Sequence, residues 1–384
     1  MLSIWPLAAS ASDQKTKLTD LQLHWQSPIS KEWDLPHPLP EKILRINKDE
    51  LIAVGRAVVP LSRRGSDASI LLTTESIVID AALDPQGNIS IGGRSNQFAF
   101  VSGGDMANAY LRKFSQNGQK LAEFKFGGLS WRQIISLHPL NDGGVIVSGP
   151  KGGSTWLASI SDRGRIRWEK FIGVGRESAV TEGRDKNIAY VGLRKEPTAN
   201  GKFDLDVVFL LFDAKGNVLA DRVIRRSINP YNGETYESLA IESAEDGYFA
   251  LVGWRDPSSS KALRAVKLSL AGMVQWDVQL DHTAILREGR GVATWNKCDQ
   301  KQTVLPKGEL MVTCSVGDEL IISRLDSVSG NEKIQKVKLP ACHNSRPAII
   351  TPVVSTETTV FLLGSRPCND VSASCNWFAE WSLQ

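Results

Sequence analysis

Apolar and polar residues alternate along short segments of this 384-residue chain, and the alternation repeatedly stops at a glycine. In Trp156–Trp168 the alternating residues run into a four-residue turn that ends in Gly164, and alternation then resumes. This pattern predicts a β-hairpin, because a turn glycine supplies the positive φ that a short connection needs. The same pattern recurs at Tyr110–Gly118, Phe209–Gly216 and Ala265–Gly272. Four hairpins in one register indicate an internal repeat.

A second repeated element precedes the hairpins, namely a nearly continuous apolar run that ends in glycine or, once, in cysteine. Its seven copies are Leu51–Gly55, Asn88–Gly93, Val145–Gly149, Ile188–Gly192, Tyr248–Gly253, Leu310–Cys314 and Val360–Gly364. Such runs are typical of strands that are covered on both faces. A further alternating strand precedes each run, so the repeating unit is predicted to be four antiparallel strands.

The spacing of the hairpin glycines sets the architecture. They stand at positions 118, 164, 216, 272 and 330, which matches the period of roughly 40–50 residues that propeller blades show. The sequence therefore predicts an all-β fold, a seven-bladed β-propeller of four-stranded antiparallel blades. The blades are predicted to start near residues 41, 79, 129, 174, 235, 282 and 342.

The two ends of the chain predict how the ring closes. The last unit stops after its third strand, Trp377–Gln384, whereas Leu21–Gln26 is an alternating strand without a partner nearby in sequence. We expect residues 21–26 to complete the last blade, because such pairing removes exposed sheet edges. Residues 1–16 are interpreted as a signal-peptide-like or disordered segment, and residues 17–384 as a single propeller domain.

The repeat resembles a known group of propellers. Asp142–Gly149 with Ser154–Trp168, and Asp246–Gly253 with Ala265–Trp276, are similar to the delta-60 and quinoprotein-like repeats of bacterial extracytoplasmic β-propellers. The resemblance implies the fold only, because that group includes enzymes, assembly scaffolds and surface-binding proteins.

Composition narrows the functional classes. The formal net charge is only +3, and the longest basic runs are pairs of arginines, so no nucleic-acid footprint is present. No apolar run approaches the roughly 20 residues that span a bilayer. Leu2–Ala8 followed by Ala9–Ala11 resembles an apolar core and a cleavage site, although a basic leading region is missing. We expect a periplasmic or secreted protein, monomeric as a propeller.

The five cysteines support an oxidising compartment, because all lie in the last quarter of the chain. The candidates for disulfides are Cys368, Cys375, Cys298 and Cys314, with Cys342 as the fifth cysteine. Cys368 and Cys375 would close a single loop, but sequence leaves the pairing open. No pair has the spacing of a zinc site.

Arginine follows the glycine of the second strand within two residues in five units, at Arg56, Arg94, Arg194, Arg255 and Arg366, and Lys151 has a similar place. A ring would bring these side chains to one rim together with Trp254, Tyr231 and Tyr236. Arginine with tryptophan and tyrosine is the composition of protein-binding hot spots. The alternatives are that each arginine pairs with an acid of its own or an adjacent loop, and that Trp254 packs between blades.

Catalytic patterns are weak. The five histidines are scattered, and neither a nucleophile elbow, a P-loop nor a dinucleotide fingerprint is present. No cofactor and no metal ligands are predicted.

We therefore expect a non-catalytic binding or scaffold protein of the bacterial envelope that holds a protein partner through the loop-bearing rim. An acidic surface on the partner would suit the arginines, and an immunity or assembly factor is the specific version of this hypothesis. The alternative is a channel-mouth enzyme, either a metal-dependent, lactonase-like hydrolase or a quinoprotein-like oxidoreductase.

Overall fold

The structure, a computed structural model, describes residues 42–45, 50–54, 57–62, 72–73, 76–95, 108–116, 119–127, 132–173, 178–198, 202–228, 235–255, 261–280, 301–305, 308–316, 319–338, 349–356, 359–367 and 374–382. Within these residues every regular element is a β-strand. The expected closing strand 21–26 lies outside them.

The strands pair in sheets that follow one another along the chain. The first sheet has the order β1-β2-β3-β4, with strands β1 Lys42–Arg45, β2 Glu50–Val54, β3 Ala57–Ser62 and β4 Leu72–Thr73. The second has β5 Ser76–Leu83, β6 Ile89–Ser95, β7 Ala109–Phe114 and β8 Lys120–Phe126. The third has β9 Ser136–Pro139, β10 Val145–Lys151, β11 Ser154–Ile160 and β12 Ile166–Ile172.

The later sheets repeat this plan. The fourth has β13 Ser178–Glu182, β14 Ile188–Pro197, β15 Phe203–Phe212 and β16 Val218–Ile228. The fifth has β17 Thr235–Ala244, β18 Gly247–Arg255, β19 Lys261–Ser269 and β20 Val274–Gln279. The sixth has β21 Lys301–Val304, β22 Leu310–Val316, β23 Glu319–Leu325 and β24 Glu332–Lys338. Strands β25 Ile349–Thr356, β26 Thr359–Pro367 and β27 Ser374–Ser382 form a three-stranded sheet.

Five sheets, from β5–β8 to β21–β24, are four-stranded and antiparallel throughout, with neighbours in sequence paired as neighbours in the sheet. The prediction of an all-β chain built from repeated four-stranded antiparallel sheets is therefore confirmed. The order follows from the sequence pattern, because short turns favour pairing between consecutive strands.

Burial falls from the second strand of a sheet to the fourth, as the sequence pattern predicts. In the third sheet β10 is buried at every residue except Lys151, and β11 at every residue except Ser154. The outer strand β12 is exposed or half-buried throughout. The continuous apolar runs are thus interior strands, and the alternating strand after each hairpin glycine is the outer one.

The chain divides into two compact units, one made of Val54–Val58 and Leu71–Arg287, the other of Met1–Ala53, Val59–Ile70 and Glu288–Gln384. In the first unit the first strand of each sheet contacts the first strand of the next, in the order β5, β9, β13 and β17. In the second unit β21 contacts β25, and β25 contacts β1. In each unit, consecutive sheets are therefore neighbours in space, and they contact each other through their first strands.

Hydrogen bonds join the first strands in the Leu71–Arg287 part. Asp80 Oδ2 accepts the Leu137 N–H at 2.8 Å, and Ser136 Oγ accepts the Val180 N–H at 3.3 Å. Thr181 Oγ1 lies 3.4 Å from His138 Nδ1. Since Ser136 faces Val180 and His138 faces Thr181, β9 and β13 run in the same direction.

Apolar cores fill the spaces between successive sheets. Leu111 of the second sheet and Val147 of the third lie in one core, and Leu157 with Tyr190 lies in the next. Phe209 and Tyr248 belong to the core between the fourth and fifth sheets, with ring centroids 5.7 Å apart. Each sheet therefore buries its apolar faces against its neighbours, as a repeat architecture requires.

The hairpin turns between third and fourth strands match the sequence prediction. Gly164, Gly216, Gly272 and Gly330 have φ of 74°, 84°, 72° and 70°, whereas Gly118 lies outside the described residues. Trp168 packs across to the next sheet, where its ring lies 5.9 Å from Phe212 and its Nε1–H donates to Ala214 O at 3.0 Å. Trp276 instead packs on Phe249 of its own sheet.

Candidate functional site

The sheets of the Leu71–Arg287 part have two chemically different ends. At one end, called the loop end, the second strand connects to the third. At the other, called the turn end, the first strand turns into the second and the third into the fourth. Because β9 and β13 run in the same direction, the loop ends of the third and fourth sheets lie on the same side.

The arginines expected at the rim lie at the loop ends of their sheets where the structure describes them. Arg94 closes β6 opposite Ala109, and Arg194 lies on β14 opposite Asp206. Arg255 ends β18 opposite Lys261, and Arg366 lies on β26 opposite Cys375. Arg56, Tyr231, Cys298 and Cys368 lie outside the described residues, and Cys314 is a residue of β22.

Arg194 is neutralised by its own sheet. Its Nε donates to Glu196 Oε1 at 2.9 Å, and its Nη1 donates to Asp221 Oδ2 at 2.8 Å. Burial alone would lower the pKa of Arg194, but the two carboxylates raise it. The alternative of an internally paired arginine therefore describes Arg194, and its charge is not available to a partner without breaking these ion pairs.

Trp254 and Tyr236, which were expected at the rim, make contacts within the fold. Trp254 is 6% exposed and lies in the core between the fourth and fifth sheets. The Arg225 guanidinium covers its ring at 3.7 Å from the centroid. Tyr236 is half-buried and donates its hydroxyl hydrogen to Leu205 O at 3.3 Å. A molecule approaching this place would meet Arg225 before the indole of Trp254.

Cations stacked on aromatic rings recur at the loop end. Arg132 lies over the Trp156 ring at 5.1 Å, and Lys151 over Phe171 at 4.3 Å. Lys195 lies over Phe203 at 4.4 Å. With Arg225 over Trp254 these four pairs make up what we call the cation–aromatic cluster: Arg132, Lys151, Trp156, Phe171, Lys195, Phe203, Arg225 and Trp254. A ring face attracts a cation without cancelling its charge, so stacking leaves the cation able to bind an anion.

Of these eight residues the sequence pattern selects Lys151 and Trp254 as site residues but misses Arg132, Trp156, Phe171, Lys195, Phe203 and Arg225. Arg132 stands before β9 in a connecting segment, where an arginine carries no periodic signal. Phe171 occupies the end of a fourth strand, where apolar residues alternate with polar ones in the ordinary way. Only the pairing β11–β12, which places Phe171 opposite Trp156, reveals that the two rings share the loop end.

Several charged groups at the turn end are satisfied by neighbours. The Asp84 carboxylate accepts the N–H groups of Gln86 and Asn88 at 3.0 and 2.7 Å, and Asp213 does the same for its own turn. Arg167 lies 2.6 Å from Asp142, and Arg184 lies 2.7 Å from Glu245. These turn-end groups are already paired, whereas the loop end carries cations that are stacked on aromatic rings, which makes the loop end the better candidate for binding.

One carboxyl at the turn end is unfavourably placed. Burial raises the pKa of Glu182, and the charges of Asp142 and Asp185 raise it further, against the lowering effects of Asn141 and Lys186. A raised folded-state pKa favours the protonated carboxyl, so Glu182 contributes its stability to the folded protein at low pH. That stability is lost as pH rises through the folded-state pKa.

Glu182→Gln is therefore expected to raise the urea midpoint of unfolding at pH 7. The gain should disappear when the pH falls below the ordinary glutamate pKa of 4.5, because the wild-type carboxyl is then neutral in both states. Glu245→Gln is the control, since Glu245 is exposed and paired with Arg184. A gain that is independent of pH would contradict this electrostatic explanation.

Among the described residues no group of three or more histidine, cysteine, aspartate or glutamate side chains could hold a metal ion. In the same part of the chain no helix is long and apolar enough to cross a membrane.

No protein-family model matches the chain, and no curated protein matches it in sequence. Solved structures resemble it in fold. The WD40 domain of Pan2 from Neurospora crassa is 10% identical and matches with a TM-score of 0.54, over 91% of this chain and 93% of that one. A protein from Lactobacillus plantarum is 16% identical with a TM-score of 0.52, over 78% of this chain and 85% of that one.

The polysaccharide lyase Uly1 also has a similar fold, at 8% identity and a TM-score of 0.52, over 91% of each chain. Likeness at these identities concerns the fold alone. WD40 domains are propellers of four-stranded blades, and the sheets of this chain follow the same plan. The chain therefore has a propeller-like fold.

Proposed function

We propose that this protein is a non-catalytic, propeller-like binding protein that holds a protein partner at the loop end of its sheets. The observation that carries the proposal is the cation–aromatic cluster, in which four cations stack on rings at one end of successive sheets. Arginine and aromatic residues dominate the energetics of protein interfaces. At the turn end, by contrast, Arg167 and Arg184 are already paired with Asp142 and Glu245.

The electrostatics of the cluster favour an acidic partner. The Lys195 side chain is exposed and lies over Phe203, and no carboxylate pairs with it among the described residues. Lys195 is therefore better suited to meet a partner's carboxylate than Arg194, which two acids already neutralise. Positive charge at a rim also steers an acidic partner during association.

We further propose the finer architecture that the repeat predicts. In this account the chain is a seven-bladed propeller with delta-60-like repeats, and Leu21–Gln26 supplies the fourth strand of the sheet β25–β27. Two observations support it: among the residues that the structure describes, that sheet has three strands where the others have four, and the hairpin glycines recur at a blade-like period. An envelope location, with disulfides among the C-terminal cysteines and a role as an immunity or assembly factor, belongs to the same proposal.

The proposal predicts that Lys195→Ala with Phe203→Ala weakens capture of the partner. The purified wild-type protein serves as bait in an extract of its source cell, and captured proteins are quantified by mass spectrometry. Loss of one hot-spot pair should reduce recovery of the specific partner on the order of tenfold, while the circular dichroism spectrum stays unchanged. Equal recovery by the folded double variant would contradict binding at the loop end. Metal analysis and an absorption spectrum of the same preparation test the alternative of a channel-mouth enzyme.

A further inference from the structure

Among the sheets of the Leu71–Arg287 part, the third has the shortest connection between its second and third strands. Only Gly152 and Gly153 separate β10 from β11, whereas residues 96–108 separate β6 from β7 and residues 198–202 separate β14 from β15. Both glycines have positive φ, 57° and 90°, and a Cβ added to Gly153 would meet nothing within 4 Å. The tight turn therefore leaves open space at the end of this sheet.

Two cations lie together at this opening. Arg132 and Lys151 are paired across an isolated antiparallel β-bridge, which places their Cα atoms about 5 Å apart. Burial lowers the pKa of Lys151, and the nearby charge of Arg132 lowers it further, against the effect of Glu169. The two side chains are thus close enough to repel each other, and an anion between them would relieve that repulsion.

In the described part of the chain, Glu169 is the one carboxylate that pairs with either of these two cations. Glu169 Oε2 lies 3.9 Å from Lys151 Nζ and accepts the Trp156 Nε1–H at 2.9 Å. Among the described residues no carboxylate pairs with Arg132, and its buried Nε–H has no acceptor. Buried donors are rarely left without an acceptor, so the Arg132 guanidinium has donor capacity left for an additional acceptor.

An exposed ring borders the same cations. Phe171 is 53% exposed, although Lys151 covers part of its face. A ligand that places a carboxylate on the cations would therefore bring its neighbouring atoms onto an apolar surface.

We propose that Arg132, Lys151 and Phe171 form a binding site for a partner's acidic residue that stands beside an apolar one. The charge count supports a carboxylate, because two cations and Glu169 leave one positive charge, which one monoanionic group balances. The Arg132 guanidinium and the Lys151 ammonium donate to that carboxylate, and the adjacent apolar side chain lies on Phe171. This site deepens the proposed function and rests on it, since it names the kind of partner segment that the loop end binds.

The test uses the full chain and two rhodamine-labelled, end-blocked peptides that differ in one residue, Gly-Gly-Phe-Glu-Gly-Gly and Gly-Gly-Phe-Gln-Gly-Gly. Fluorescence anisotropy at low salt is expected to show about tenfold tighter binding of the glutamate peptide, as for hydrogen bonds to charged groups. The double variant Arg132→Gln with Lys151→Gln should lose that preference. The control variant Lys170→Gln removes a positive charge from the exposed position of β12 that follows Glu169, and it should keep the preference for the glutamate peptide.

Glu169→Gln is expected to strengthen peptide binding, a result that a misfolded variant would not give. The variant keeps an oxygen acceptor for Trp156 but removes the competing negative charge, so the glutamate peptide should bind more tightly than it does to the wild type. Equal binding of the two peptides by the wild type, or a preference that survives Arg132→Gln with Lys151→Gln, would overturn the site. Either result leaves the capture experiment with Lys195 and Phe203 to decide the proposed function separately.

Discussion

Gly149→Ala is expected to destabilise the protein by about 3 kcal/mol or more, because no methyl group fits at this position. A Cβ at Gly149 would lie 1.9 Å from the carbonyl oxygen of Gln133 and 3.2 Å from the Ile135 nitrogen. Both atoms belong to the backbone just before β9, so the clash is relieved only if the first strand moves. That strand hydrogen-bonds to the neighbouring sheets through Leu137 and Ser136.

The measurement is urea unfolding followed by tryptophan fluorescence, with the free energy of unfolding taken from the midpoint and slope. Gly153→Ala is the matched control, because it adds the same methyl group at the end of the same sheet where space is open. It should cost only about 1 kcal/mol, the penalty of a left-handed backbone for an L-residue. Similar losses for the two variants would show that the close approach at Gly149 is unimportant.

Asp246→Ala is expected to cost about 3 kcal/mol, because it strands a buried charge. The Lys267 side chain is 0% exposed, and its Nζ lies 2.5 Å from Asp246 Oδ1 and 4.0 Å from the Phe249 ring centroid. The loss is placed at the lower end for a broken buried pair because the Asp246 side chain is 55% exposed. Water already reaches the Asp246 carboxylate in the wild type, so in the variant water can partly take the place of that carboxylate beside Lys267.

A double-mutant cycle separates the stranded charge from other effects of the substitution. Lys267→Met removes the charge at similar volume and should be nearly neutral, since apolar replacements of buried ion pairs often are. Asp246→Ala should then cost much less in the Lys267→Met background than in the wild type, as measured by urea unfolding. Equal costs in both backgrounds would contradict a stabilising pair.

The sequence pattern predicted the strands because burial in this fold changes in a regular way along each repeat. Continuous apolar residues around Val145 become the interior strand β10, and the alternating residues after Gly164 become the outer strand β12. Turn glycines were equally visible, because a positive φ selects glycine wherever a hairpin is tight. The glycine that recurs in the second strands is visible as a pattern, but the reason for Gly149, the backbone of Gln133 just before β9, becomes apparent only in the folded chain.

The candidate site was less predictable because its contacts join residues far apart in sequence. The repeat placed arginines at the ends of the second strands, but Arg194 is neutralised by Asp221, which lies on the outer strand. Arg132 and Phe171 carry no repeat signal, and only the folded sheet brings them to Lys151. The pattern of residue types thus led to the loop end of the sheets but selected only some residues of the cation–aromatic cluster.

The most direct test of partner binding at the loop end compares the two ends of one sheet in the capture experiment. Lys195→Ala with Phe203→Ala alters the loop end of the fourth sheet, and Lys215→Ala with Val218→Ala alters its turn end, where both side chains are exposed. Each pair removes one positive charge and one apolar side chain. We expect partner recovery to fall only for the loop-end pair. Loss of recovery for the turn-end pair alone, or equal loss for both, would contradict the account.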